Sequence, residues 1–205
     1  TQPRVIVANY GRLLRSRTFT GYMGVAAFGF SGLFAFLAGS AFVFVSVMGE
    51  NEQGFGLLFG SVMLGNITGS MIGSRLVRRL GIDRMVRGGT LLMLIAALAL
   101  GALALLGTRH PLAVVVPMFV YMAAFMMTMP PAAAGALTPF PQIAGSASSL
   151  LSFCQFVVAS TAALAVGSTF DGTARPMMLT IAAAGIGAFV TCRLALPRHP
   201  RHAHG

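Results

Sequence analysis

The feature that most constrains this chain is a series of long stretches without a charged side chain. Thr18 to Gly49 carries none, and neither do Gln53 to Ser74 and Gly88 to Thr108. His110 to Phe170 is a fourth uncharged stretch, and Pro176 to Cys192 a fifth. A helix needs about 20 apolar residues to cross the roughly 30 Å hydrocarbon core of a bilayer. The fourth stretch is too long for one crossing. Thr138-Pro139-Phe140-Pro141 divides it, because two prolines so close remove backbone donors and stop a helix. Six spans are therefore expected, at about 19–48, 53–74, 88–108, 111–137, 143–169 and 176–196. The fold class is an all-α membrane protein, since the ten-residue alternation of a membrane β-barrel is not seen. Composition agrees: 56% of residues are hydrophobic and 9% charged, against about 25% charged in soluble domains. A disordered chain would be polar and highly charged.

All 14 basic residues are Arg, and the formal net charge is +10. Such a balance also marks nucleic-acid binders. Here the Arg residues cluster between apolar runs, where they read as topology signals, and no nucleic-acid partner is expected. Arg4, Arg12, Arg15 and Arg17 precede the first span. Arg75, Arg78, Arg79, Arg84 and Arg87 follow the second, and Arg193, Arg198 and Arg201 close the chain. With six spans these twelve share one side, while Arg109 and Arg175 lie on the other. The expected organisation is a cytoplasmic amino-terminal segment (1–17), a six-helix domain (18–197) and a cytoplasmic tail (198–205). Cys154 and Cys192 give no disulfide or metal spacing. The start at Thr1 rather than Met suggests a piece of a longer chain.

Intramembrane hydrolysis finds little support. Ser146, Ser148 and Ser149 offer hydroxyls, but a serine enzyme needs a base at membrane depth. His110 is at a helix end, and His199, His202 and His204 are in the tail. The zinc motif His-Glu-x-x-His does not occur. Glu50, Glu52, Asp83 and Asp171 are all expected in loops, which leaves no buried pair of acids. No enzyme, cofactor or metal site is expected, and the three tail His read as a solvated end. Gly65, Gly69 and Gly73 recur every four residues, which puts them on one helix face where another helix can approach closely. A seam with a further six-helix segment and ordinary packing are both compatible with that spacing. Asn66 and Gln155 are amides deep in spans, where polar groups are costly unless paired or facing a wet cavity. Aromatic and Met residues crowd the first and fourth spans. Phe30 with Phe34, and Tyr121 with Phe125, are the pairs at a spacing suited to a loose apolar cavity. Core or lipid-facing packing is the bland alternative for most of that crowd.

Gly73-Ser74-Arg75-Leu76-Val77-Arg78-Arg79-Leu80-Gly81 resembles the cytoplasmic loop motif of major facilitator superfamily transporters. Gly73, Arg75, Arg78, Arg79 and Gly81 carry the likeness; the motif's Asp is missing and the glycines lie one residue further apart. The stretches Gly32 to Phe44 and Phe140 to Ser149 resemble the second half of the Bcr/CflA drug-resistance branch. The likeness runs from about Tyr10 to Leu196. It implies the carboxy-terminal six-helix half of a multidrug exporter in a bacterial inner membrane, built of two inverted three-helix repeats. It further implies proton antiport of amphipathic drugs such as bicyclomycin or chloramphenicol. The implied partners are the lipid bilayer and an amino-terminal six-helix half or a second copy. The loop Arg residues would then hold phosphates or the partner half. A non-transporting orphan half or membrane scaffold is the rival reading. With every acid expected in a loop, a proton-coupling carboxylate would have to sit in the other half.

Overall fold

The computed structural model describes residues 3–108 and 110–196. Thr1, Gln2, Arg109 and the tail expected at 198–205, with Arg198, Arg201 and its His residues, lie outside the described residues. Seven α-helices follow in order: α1 (Pro3–Arg15), α2 (Arg17–Ala41), α3 (Glu52–Leu80), α4 (Ile82–Leu105), α5 (Pro111–Leu137), α6 (Ala144–Ser168) and α7 (Arg175–Ala195). Helices α2 to α7 are each long and apolar enough to span a bilayer, and the described residues form an all-α, six-span membrane protein. Helix α1 lies in the segment expected to be a simple terminal stretch and buries Leu13 against the bundle.

Local chemistry fixes the helix ends. Ser16 caps α2 by accepting from the Phe19 amide at 3.3 Å, and Asn51 caps α3 by accepting from the Gly54 amide at 2.7 Å. These side chains satisfy donors that a helix start leaves unpaired. Pro111 sits in the first turn of α5, where its missing N–H costs nothing. Gly81, at φ 78°, is the single residue between α3 and α4. Only glycine takes that backbone region freely, so α3 runs past its expected end at 74 to Leu80 and α4 starts at once. This corrects the placement of Glu52 and Asp83 in loops: both occupy first helical turns, where a negative charge meets the positive end of the helix dipole. The carboxy-terminal end of α2 continues as a π-helix, Phe42–Val47. Pro117, Pro130 and Pro131 lie inside α5 without ending it. Pro139 does fall at a break, between α5 and a short 3-10 turn at Pro141–Ile143.

Packing crosses between the two halves of the chain. Helix α2 packs on α6 and α7, α5 packs on α3 and α4, and α4 packs on α7. Each set of three helices thus finds its main neighbours in the other set. Helices α3 and α6 are the least buried spans and form the flanks. Small residues set the approach of the inner helices. A Cβ on Gly185 of α7 would collide with Ala97 of α4, and one on Gly24 of α2 with Thr191 of α7. Without a hydrophobic drive between helices in lipid, such close backbone approach is the main source of association.

Candidate functional site

The cavity candidates separate into three groups. Phe30 and Phe34 are half-buried on α2, and the Phe30 ring meets the Phe125 ring of α5 edge-on at 5.3 Å. Phe30 and Phe34 lie 6.3 Å apart, as expected for residues one turn apart. Phe156 of α6, which sequence reasoning missed, is 6.2 Å from Phe30 and 6.1 Å from Phe34. Its ring is 54% exposed, while Phe125 is fully buried. Four rings from three helices thus form a tray with Phe125 as its floor and Phe156 as its open rim. Edge-to-face contacts of this kind are favourable beyond the area they bury. Gln155 precedes Phe156 on α6 and is half-buried. The signal for Phe156 was its place beside Gln155, but only the packing of α2 on α6 shows that it faces Phe34.

Among the described residues Tyr121 makes no ring contact with the tray and packs between α2 and α5. It is 0% exposed, with its hydroxyl donating to the Gly29 carbonyl of α2 at 3.4 Å. The ring fills the space left by Gly32, where any Cβ would overlap it. Tyr121 is a core spacer between α2 and α5. Asn66 on α3 donates from Nδ2 to the sulfur of Met63 at 3.5 Å, a weak acceptor. Its Oδ1 is buried and has no partner among the described residues.

The glycine face of α3 is corrected in its partner. Gly65, Gly69 and Gly73 are buried against α5 of this same chain, not turned toward a further segment. Their missing Cβ positions fall on the Phe119 carbonyl, the Ala123 backbone and Met127. The motif between α3 and α4 is likewise mostly helical. Gly73 is inside α3, Arg75, Arg78 and Arg79 are exposed on its last turns, and Gly81 makes the turn. Together with Ile72, Ser74 and Leu76 these Arg residues line a groove of about 740 Å³. Cations at a helix end of this polarity are favoured by the dipole.

At the opposite end of the bundle, Ser46, Thr108, Thr173 and Arg175 line a second concavity of about 410 Å³. Arg175 donates from Nε to the Ala104 carbonyl at 3.2 Å, fastening α7 to α4. Beside it, the Thr173 hydroxyl holds the Asp171 carboxyl below its usual range, with the Thr173 amide adding to the effect. Among the described residues no three His, Cys, Asp or Glu side chains come together as metal ligands.

The described residues form a bundle of six candidate spans in which each set of three packs mainly on the other. Comparison with known proteins gives the family. The chain is 32% identical over 180 residues to a bicyclomycin resistance protein homolog of Haemophilus influenzae, covering 87% of this chain and 45% of that protein. It is also 32% identical over 172 residues to the uncharacterized MFS-type transporter YdgK of Bacillus subtilis, covering 83% and 42%. The chain therefore spans about half the length of the curated relatives it matches. No protein-family model matches it, and no solved structure matches it significantly. The chain belongs to the major facilitator superfamily and matches about half the length of a transporter of that family.

Proposed function

We infer that this chain serves multidrug efflux by proton antiport, as one half of a twelve-helix exporter in a bacterial inner membrane. Its substrates would be amphipathic drugs of the bicyclomycin and chloramphenicol type, and its partner an amino-terminal six-helix half or a second copy. The observation that carries the reading is the tray of Phe30, Phe34, Phe125 and Phe156, half-open on a transporter fold. Flat rings bind apolar drugs loosely and without fixed hydrogen-bond geometry, which suits a broad substrate range. Asn66 and Gln155 are the polar contacts of this reading. The two halves would rock around a site near the midplane, with alternating access to each face.

The test is drug resistance in cells that express the chain with an amino-terminal six-helix half. Phe30→Ala removes the ring that touches the other three members of the tray. It should lower chloramphenicol resistance about tenfold, the loss expected when one aromatic anchor worth roughly 1.5 kcal/mol is removed. Unchanged resistance at unchanged protein level would sink the reading.

The Arg distribution supports an orientation with both termini and the α3–α4 turn in the cytoplasm. In that orientation a cysteine placed at Glu50 reacts with an impermeant maleimide in intact cells, and one placed at Arg78 does not. Equal labelling at both positions from outside would refute it.

A further inference from the structure

Tyr22 leaves α2 at the arginine-rich end of the bundle, 3% exposed, and donates its hydroxyl proton to the Asp83 carboxylate on α4. It reaches Asp83 by crossing Gly135 of α5, where a Cβ would lie 2.5 Å from Tyr22 Cζ. Helices α2 and α4 share no extended packing of their own. One turn beyond Asp83, Arg87 donates from Nη2 to the Leu196 carbonyl just past the end of α7, at 3.0 Å. Cys192 of α7, 1% exposed, lies within the same cluster beside Thr90, Arg87 and Asp83. Three helices are thus fastened at one end by directional polar bonds. Their middles are held by small residues and apolar side chains.

The two kinds of contact behave differently. Apolar surfaces slide by small steps and keep most of their contact. A hydrogen bond to a charged acceptor is either made or lost, and it is among the stronger single ties available. Its neighbours at this depth offer little water to replace it. We propose that Tyr22, Asp83 and Arg87 form a latch that fastens α2, α4 and α7 at the arginine-rich end. This end of the unit opens only when the latch parts. The inference goes beyond drug export and stands whether or not the chain carries a drug.

Cys192 is a built-in reporter of that opening. The experiment uses the whole chain in membrane vesicles, with Cys154→Ser leaving Cys192 as the thiol labelled by N-ethylmaleimide. Tyr22→Phe keeps the ring against Gly135 and removes only the hydroxyl. It should speed labelling of Cys192 about tenfold, the effect of losing one hydrogen bond to a charged group. Asp83→Asn keeps an acceptor oxygen but removes the charge, and a smaller acceleration is expected. In the reverse background, Cys192→Ser with Cys154 on α6 as the probe, neither substitution should change the rate. Failure of both substitutions to speed Cys192 labelling would overturn the latch. Equal acceleration at Cys154 would overturn it too, because that outcome describes general loosening.

Discussion

Gly69→Leu should strongly destabilise the six-helix protein and lower its melting temperature. A Cβ at this position would overlap the carbonyl oxygen of Ala123 and come within 2.7 Å of its carbonyl carbon and Cα. The obstacle is backbone in the middle of α5, so no side-chain rotation clears it. Helix α3 would have to withdraw along the whole seam that Gly65 and Gly73 share. Overpacking a core costs about 1–3 kcal/mol and more where nothing can yield. Against a total stability of about 5–15 kcal/mol, a loss of about 3 kcal/mol or more at this seam removes a fifth or more of it. Gly60→Ala on the same helix is the matched control, since no atom lies within 4 Å of the added carbon. Its expected effect is neutral to slightly stabilising, by helix propensity of about 1 kcal/mol at most. Size-exclusion profiles and thermal melts in detergent measure both. A Gly69→Leu protein that stays monodisperse with the parental melting temperature would refute the assignment of α5 as the seam's other side.

The second large effect concerns energy coupling. A proton-driven carrier needs a titratable group at membrane depth that each face of the membrane can reach in turn. Glu50 and Asp171 lie between helices, while Glu52 and Asp83 lie in first turns at the bundle's ends. Asp83 is moreover engaged by Tyr22. No described carboxylate or histidine sits midway along a span. Arginine keeps its proton under all ordinary conditions. On the proposed function, vesicles containing this chain alone should show no drug uptake when a pH gradient is imposed. Adding an amino-terminal six-helix half should restore it. Gradient-dependent uptake by the chain alone would show that one of these end-of-helix acids does the coupling.

Different parts of this molecule are legible in its sequence to different degrees, for physical reasons. The six-span fold is legible because lipid punishes charge, so the Arg residues mark where the helices meet water. The spacing of Gly65, Gly69 and Gly73 reveals that a close seam exists, but it carries no information about what occupies the other side. Only the packing of α5 on α3 supplies that. Asp83 was misplaced for a local reason: a one-residue turn at Gly81 is shorter than a cluster of five Arg suggests. Helical spacing puts Tyr121 beside Phe125, and both meet α2 around Gly29, but spacing alone does not say which of the two rings reaches Phe30. The Tyr22–Asp83 bond joins positions 61 residues apart and leaves no periodic trace along the chain.

The exchange of neighbours between the two sets of three helices has a consequence for how the protein is made. When α2, α3 and α4 leave the ribosome, their principal partners have not been synthesised. The glycine seam of α3 waits for α5, and the packing face of α2 waits for α6 and α7. Until then these faces lack their partners from this chain, and long-range pairing of this kind delays assembly and exposes intermediates. Truncation before α5 would therefore strand three inserted helices rather than yield a smaller stable unit.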